Sequence, residues 1–211
     1  SSSLNWSDEI EAILVKYREN LRLRNPKRWT KQSILSKFRT LRLNAMNIER
    51  FEEDTNEFKH LRSLSISRNS ITTLKNLPPS LKSLYAFRND ICTVDTSTEQ
   101  PDLIALGLGF NRIREISSIV KAFPSVRVLD IGYNNLSSFD EVLENLKKLK
   151  YLEQLTIEGN PCTLLSSYKG RLAKALPRLR ILNGEIFSKE EGEKEEEQKE
   201  TYDDCKSALL F

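Results

Sequence analysis

Between residues 38 and 162, apolar and polar residues follow one pattern that recurs along the chain. Each copy has apolar residues at its first, fourth, sixth and eleventh positions, and most copies have an asparagine at the ninth. Apolar fourth and sixth positions separated by a polar or small residue predict a short strand with one buried face. Clear copies begin at Leu61, Leu81, Leu103, Val126 and Leu152, and a weaker copy begins at Phe38, with Met46 in place of the asparagine.

Successive clear copies are separated by 20, 22, 23 and 26 residues, which is the period of a leucine-rich repeat. One repeat cannot bury its own apolar face, so the repeats must stack on one another. The ninth-position amide can both donate to and accept from the backbone where the chain leaves the strand, so it should satisfy buried peptide groups. The predicted structural ladder consists of Asn69, Asn89, Asn111, Asn134 and Asn160.

The pattern predicts an α/β fold: a right-handed leucine-rich-repeat solenoid whose concave face is a parallel β-sheet of about six strands. We expect a helical N-terminal cap over residues 1–37, repeats over 38–158, a helical C-terminal cap over 159–186 and an acidic tail over 187–211. Each repeat must also return from the end of one strand to the start of the next. Two of these returning segments, 117–123 and 140–149, have helical spacing, and Ser138 or Asp140 is a suitable N-cap for the second. The front cap has apolar residues at helical spacing, namely Trp6, Ile10, Ile13, Leu14 and Tyr17.

The segment 159–184 should cover the back of the solenoid, with Leu164, Tyr168, Leu172 and Leu176 on one apolar face. It resembles the C-terminal cap of intracellular leucine-rich-repeat proteins, whose pattern is NP…Y+…+…LPxLxxLDG. The matching residues are Asn160, Pro161, Tyr168, Arg171, Leu176, Pro177, Leu179, Leu182 and Gly184, with Asn183 replacing the usual Asp. Within that family, the stretches NLPPSLKSLYAFRNDI, QPDLIALGLGFNRI and YKG most resemble an axonemal member. The resemblance implies a cytoplasmic interaction protein of motile cilia.

The outward positions of the central repeats are unusual, because LGLGF places glycines where a half-exposed strand normally has polar side chains. In register, three glycines and four aromatic residues meet on the concave face. We expect the glycines to leave a flat floor for a partner, the aromatic residues to anchor it, and charges at the two ends to orient it. The alternative is that the aromatic rings only pack against neighbouring turns. The predicted partner-binding residues are Arg68, Tyr85, Phe87, Arg88, Gly107, Gly109, Phe110, Asp130, Gly132, Tyr133 and Glu158.

Charge is distributed unevenly around a net charge of +3. Residues 16–42 contain ten basic side chains and one acidic one, whereas residues 189–211 contain nine acidic and four basic ones. The basic segment could bind an acidic partner such as nucleic acid or tubulin tails, or it could be a solvated helical face. We expect Trp29 to anchor the N-terminal cap. Nucleic acid is the weaker prediction, because the segment lacks aromatic residues interleaved as a stacking platform.

Residues that carry chemistry are scarce. His60 is the only histidine, and Cys92, Cys162 and Cys205 are too far apart for a CxxC pair, so we expect reduced thiols. The GLG at 107–109 lacks the further glycine of a phosphate loop. We therefore predict no enzyme activity, no catalytic residue, no metal, no cofactor and no small-molecule substrate. No apolar run reaches the roughly 20 residues of a membrane span.

Together these observations predict a scaffold that docks a protein partner, in the axoneme if the resemblance holds. Two alternatives remain open from the sequence. The first is a regulatory subunit that lays the same face on an enzyme such as a phosphatase. The second is a ribonucleoprotein component, whose binding would depend steeply on salt through the basic segment.

Overall fold

The structure is a computed structural model that describes residues 6–20, 30–50, 53–95 and 99–188. Trp29, Cys205 and almost all of the acidic tail lie outside these residues, so the predictions made for them remain predictions. The described chain is built from ten strands and five helices. Two 3₁₀ turns, Glu53–Glu57 and Pro161–Leu164, complete the elements.

Eight of the strands form one sheet, in the order β1-β2-β4-β6-β7-β8-β9-β10. All of its pairs are parallel except β9 with β10. The predicted parallel sheet is thus confirmed, and the C-terminal cap adds a seventh parallel strand, β9. The strands are β1 Thr40–Arg42, β2 Ser63–Ser65, β3 Thr73–Leu74, β4 Ser83–Tyr85, β5 Thr93–Val94, β6 Ala105–Gly107, β7 Val128–Asp130, β8 Gln154–Thr156, β9 Ile181–Leu182 and β10 Glu185–Ile186.

The returning halves of the repeats change from strand to helix along the chain. Early repeats return through β3 and β5, which pair in a second sheet, and later repeats return through helices that pack in chain order. Ser138 caps α4 by accepting a hydrogen bond from the Glu141 N–H at 3.4 Å. The helices are α1 Trp6–Asn20, α2 Lys31–Leu35, α3 Ser117–Ala122, α4 Phe139–Leu146 and α5 Tyr168–Ala175.

The core lies between the two sides of the solenoid and is filled by the apolar positions of the repeats. Fourth-position leucines stand in register across the sheet, as in Leu84 beside Leu106 and Leu106 beside Leu129. All three are at most 1% exposed. Burial of each such side chain stabilises the fold by roughly 1.5–3 kcal/mol, and this term holds the stack together.

The asparagine ladder is present in every clear repeat and has the predicted role. Each amide Nδ2 donates to the sixth-position carbonyl of its own repeat and of the preceding repeat, as Asn134 does to Ile131 and Leu108 at 3.0 Å. Each Oδ1 accepts the eleventh-position N–H of the preceding repeat, as Asn134 does from Ile113. The five ladder side chains are at most 9% exposed, so they satisfy backbone groups that water cannot reach.

The front of the solenoid is covered by α1 and α2. Ile10 and Leu14 of α1 are fully buried, and Ile13 packs against the same core. The side chains of Trp6 and Tyr17 lie outside the described residues. Helix α2 begins after Thr30, whose hydroxyl accepts a hydrogen bond from the Ser33 N–H at 3.2 Å.

At the back, the predicted apolar face is correct for three of its four residues. Leu172 and Leu176 are buried and Tyr168 packs against the core, but the prediction for Leu164 is wrong, since it is 86% exposed. The reason is a break in the helix. Leu164 ends a 3₁₀ turn and α5 begins only at Tyr168, so helical spacing does not apply between them.

No helix of the described chain is both long enough and apolar enough to cross a membrane.

Candidate functional site

The predicted partner-binding residues meet on the concave face because the strands carry them in register. Tyr85 pairs with Gly107, and Gly107 pairs with Asp130, across β4, β6 and β7. Phe87 and Gly109 follow two residues later in their repeats. The structure therefore brings the predicted residues of the central repeats together.

The glycines on this face have a different immediate role from the one predicted. The Phe87 ring leans onto the next repeat, so that a Cβ on Gly107 would lie 2.6 Å from Phe87 Cε2, and a Cβ on Gly109 would lie 2.8 Å from Asp130 Oδ1. Both glycines are buried. The expectation of a bare glycine floor is thus wrong for Gly107 and Gly109, because the chain's own side chains fill the space.

Tyr85 and Phe87 form the first of two aromatic pairs on this face. Their rings are stacked, with centroids 6.2 Å apart and planes at 16°. Phe87 lies lower and is half-buried against Gly107, whereas Tyr85 remains 38% exposed. Phe87 therefore packs against the neighbouring repeat, as the alternative interpretation of the aromatic residues expected. Tyr85 keeps one side of its ring exposed to solvent.

The second pair, Phe110 and Tyr133, stands at the rim where the strands end. Their backbones are left-handed, with φ of 59° and 53°, and the rings stack with centroids 4.4 Å apart and planes 4° from parallel. The Arg88 guanidinium lies 5.2 Å from the Phe110 ring centroid on the side of the preceding repeat. Such stacking adds about 0.5–1.5 kcal/mol to area burial and holds both rings upright.

Phe110 and Tyr133 are 45% and 47% exposed, although each is stacked. We refer to Tyr85, Phe87, Phe110 and Tyr133 as the aromatic cluster. A rigid exposed aromatic surface has little side-chain entropy left to lose on binding, which is the property that makes such residues effective anchors.

The Asp130 carboxyl group is partly buried on this face, which disfavours its charged form. Burial raises the pKa of its carboxyl above the ordinary value of 3.8; a hydrogen bond from the Gly132 N–H opposes this, and the Glu158 carboxylate raises the pKa further. The Asp130 Oδ1 to Gly132 N distance is 3.0 Å. Gly132 is buried, and a Cβ there would meet Thr156 Cγ2 at 3.2 Å, so this glycine too makes room for neighbouring side chains.

Charged residues flank the aromatic cluster with opposite sign on its two sides. The aromatic cluster spans the third to fifth repeats. The exposed Arg68 and Arg88 lie in the second and third repeats, whereas Asp130 and Glu158 lie in the fifth and sixth. Arg68 is left-handed like Phe110, with φ of 59°, which places it in the same rim position. The predicted separation of charge along the face is therefore present among the described residues.

Gly159 was not among the predicted site residues, yet it supports the cluster. Its φ is +73°, and a Cβ there would lie 2.5 Å from Tyr133 Cδ1, so Tyr133 uses the space that a side chain would fill. The sequence does contain a signal for this. An aromatic residue in one repeat and a glycine at the same position of the next occur at Tyr133 and Gly159, as they do at Phe87 and Gly109.

The first prediction from this geometry concerns Gly107→Ala. The new methyl group would collide with the Phe87 ring and force it off Gly107, at a cost of about 1–2 kcal/mol in the free energy of unfolding. Urea denaturation of the single variants and of Gly107→Ala/Phe87→Ala gives a double-mutant cycle. We expect Gly107→Ala to cost little once Phe87 is alanine; an unchanged cost would show that the ring is not what selects glycine here.

The second prediction concerns pH and Asp130. Because its folded-state pKa is raised, the folded protein holds the proton more tightly than the unfolded chain does. Asp130 therefore lowers stability as pH rises from 3.8 through the folded pKa, and the loss persists at neutral pH. Asp130→Asn retains an acceptor for Gly132, so it should raise the melting temperature at pH 7, by about 1–2 °C.

This advantage of Asp130→Asn should shrink as the pH is lowered toward 3.8. Carbonyl-carbon NMR of the Asp130 side chain checks the cause directly, since its titration midpoint should lie above 3.8. An advantage that is equal at all pH values, or a midpoint below 3.8, would contradict the argument.

Within the described residues, no group of three or more His, Cys, Asp or Glu side chains could hold a metal ion. His60 is exposed and precedes the buried Leu61. Cys162 is 3% exposed, and burial raises the pKa of its thiol to about 11, so it is not a thiolate at neutral pH. The face can present rings and charges to a partner.

Comparisons with known proteins agree with the leucine-rich-repeat fold. The family model described as Leucine Rich Repeat matches residues 60–84. Human leucine-rich repeat-containing protein 43 is 30% identical over 188 residues, which is 85% of this chain and 28% of that protein. The chain thus spans less than a third of that relative. The resemblance predicted from the sequence, to leucine-rich repeat-containing protein 43, is confirmed.

Two further matches are more distant or shorter. Dynein axonemal assembly factor 11 of Trypanosoma brucei brucei is 43% identical over 49 residues, covering 23% of this chain and 13% of that protein. The crystal structure of the Drosophila melanogaster SNF/U2A' complex contains a chain with a TM-score of 0.52 and 22% identity, covering 75% of this chain and 79% of that one. The structural match supports the solenoid fold alone.

Proposed function

Because the chain has the leucine-rich-repeat fold, we propose that it is a protein-interaction scaffold that docks a protein partner on the aromatic cluster of its concave face. Leucine-rich-repeat proteins are generally scaffolds of this kind. One observation carries the proposal: Tyr85, Phe110 and Tyr133, from three successive repeats, are held rigid by stacking yet remain 38–47% exposed. Aromatic anchors within a charged rim are typical of interface hot spots.

We further propose that the partner belongs to the axoneme. Two similarities support this. The relative that matches most of the chain is of the type that the sequence resemblance linked to motile cilia, and a shorter match is to a protein named as a dynein axonemal assembly factor. The partner of this chain need not be shared with either relative.

The test is affinity capture from an extract of ciliated cells, with the wild-type chain and Tyr85→Ala/Phe110→Ala as baits. Both side chains lie outside the core, so the double variant should keep its fold and lose the specific partner. Ile104→Ala/Tyr151→Ala is the matched control, since these side chains are 41% and 44% exposed but flank the starts of the strands. Circular dichroism and melting temperature verify that both variants fold.

Axonemal proteins that are lost only in Tyr85→Ala/Phe110→Ala would support both proposals. Loss of a phosphatase catalytic subunit instead would favour the regulatory-subunit alternative. Capture of RNA that disappears at high salt would favour the ribonucleoprotein alternative. An identical set of proteins on both variants would show that docking does not use the aromatic cluster.

A further inference from the structure

The charged residues of the concave face are sorted by sign along the repeats, with basic residues first and acidic residues after them. Arg68 and Arg88 lie in the second and third repeats, and Asp130 and Glu158 lie in the fifth and sixth. Within the described residues, none of the four forms a salt bridge, and Arg88 instead faces the Phe110 ring. Opposite charges are thus held apart on one face, and none of the four is paired with an opposite charge on the described part of it.

We propose that the partner segment is an amphipathic helix of polarised charge, acidic where it crosses Arg68 and Arg88 and basic where it crosses Asp130 and Glu158. This inference rests on the proposed function, since it describes what docks on the aromatic cluster. Attraction between opposite charges orients the helix along the face, and the exposed rings between the charges contact its apolar side.

The backbone of the sheet favours a helix over an extended segment. Strand groups on this face already pair with neighbouring repeats, as Ala86 N–H does with the Gly107 carbonyl at 2.8 Å and Leu108 N–H with the Asp130 carbonyl at 2.7 Å. An extended segment laid across the strands would find no backbone partners there. A helix satisfies its own backbone groups and needs only its side chains for contact.

The positions of the charges set the spacing on the partner. From β2, which precedes Arg68, to β8, which precedes Glu158, the sheet crosses four strand intervals, or about 19 Å at about 4.8 Å each. A helix rises about 1.5 Å per residue, so its acidic and basic ends should be about 13 residues apart. Tyr85, Phe110 and Tyr133 then meet the apolar stripe between them.

The polarity also sets the direction of the helix. Acidic side chains stabilise the first turn of a helix and basic side chains the last turn, because each offsets the nearer end of the macrodipole. A helix that carries the required charges in this favourable order would place its N-terminus over Arg68 and Arg88.

The probes are two synthetic 18-residue peptides of identical composition, held helical by the same hydrocarbon staple and sharing one apolar stripe. In the block peptide, glutamates occupy the first turn and lysines the last. In the mixed peptide, the same charges alternate along the polar face. Fluorescence anisotropy with the full 211-residue chain should show the block peptide binding about tenfold more tightly at low salt, with the difference shrinking as salt is added.

Charge-neutralising variants locate the effect. Arg68→Gln/Arg88→Gln and Asp130→Asn/Glu158→Gln should each weaken binding of the block peptide by about threefold to tenfold and leave the mixed peptide unchanged. Arg114→Gln/Glu185→Gln, which neutralises one exposed charge of each sign away from the cluster, should change neither.

The outcomes separate this inference from the proposed function. Equal affinity for the two peptides, lost together in Tyr85→Ala/Phe110→Ala, overturns the charge order and leaves the docking surface standing. Binding that survives Tyr85→Ala/Phe110→Ala overturns the docking surface itself. Failure of both peptides to bind overturns the helix as occupant. An equal loss of block-peptide binding in the Arg114→Gln/Glu185→Gln control overturns the assignment of the charge effect to Arg68, Arg88, Asp130 and Glu158.

Discussion

Asn111→Ala should lower the free energy of unfolding by about 3–5 kcal/mol, more than any other single substitution considered for this chain. The Asn111 Oδ1 accepts the Ile91 N–H at 3.0 Å, and its Nδ2 lies 2.9–3.2 Å from the carbonyl oxygens of Ala86, Leu108 and Gly109. Alanine leaves the Ile91 N–H buried without a partner, which costs about 1–3 kcal/mol. It also removes one of the two hydrogen bonds that each of the three carbonyl oxygens accepts, at about 0.5–1.5 kcal/mol per bond. The substitution also weakens the coupling between two neighbouring repeats, because the Asn111 amide hydrogen-bonds to both.

Urea denaturation followed by far-ultraviolet circular dichroism measures this loss. Asn135→Ala is the matched control, since Asn135 is exposed and its side chain makes no hydrogen bond to any described residue; it should cost less than about 0.5 kcal/mol. Asn111→Asp tests the donors separately, because a carboxylate can still accept from Ile91 but cannot donate to the carbonyls. Equal costs for Asn111→Ala and Asn135→Ala would refute the ladder as a major source of stability.

The ladder and the core could be predicted from sequence because both follow from periodicity. A side chain that recurs at the ninth position of every clear repeat must meet the same neighbours each time, so one physical argument covers Asn69 to Asn160. The same reasoning failed at Leu164, where a 3₁₀ turn ends before α5 begins. Periodicity within one element says nothing about the geometry across a break between two.

For the candidate site, the repeat pattern predicts which residues are neighbours but not how their side chains are oriented. The register of the repeats correctly identifies which residues are neighbours across the sheet, such as Tyr85 and Gly107. It does not specify which way a ring leans. Phe87 tilts onto Gly107 and Gly109 instead of standing beside them, so the glycines serve the chain's own packing first. The rings that those glycines support form the surface on which we propose that a partner docks.

This arrangement links stability to the binding that we propose for the concave face. Glycines give up side-chain contacts so that aromatic residues of neighbouring repeats can lie over them, and the rings are thereby fixed in place. Asp130 costs stability at neutral pH for the charge it offers at the same surface. Residues that lower stability at an exposed face are expected where function selects them, which agrees with the proposal that a partner docks here.

Gly159→Ala should show the second-largest effect, a loss of about 2–4 kcal/mol in the free energy of unfolding. Two costs add. The backbone at Gly159 is left-handed, with φ of +73°, which costs a residue with a Cβ about 1–2 kcal/mol. The new methyl group would also lie 2.5 Å from Tyr133 Cδ1, so the ring must leave its place and lose its stacking on Phe110.

Gly184→Ala separates these two costs. Gly184 has a φ of +86°, and a Cβ there would meet no atom within 4 Å, so its substitution should cost only the backbone term of about 1–2 kcal/mol. In a Tyr133→Ala background, Gly159→Ala should fall to the same value, because no ring remains to be displaced. If Gly159→Ala still costs as much there as in the wild type, the glycine is required by its backbone alone. Tyr133 would then stand on Phe110 without support from the next repeat, and the rigidity that makes it an anchor would have to come from the Phe110 stack.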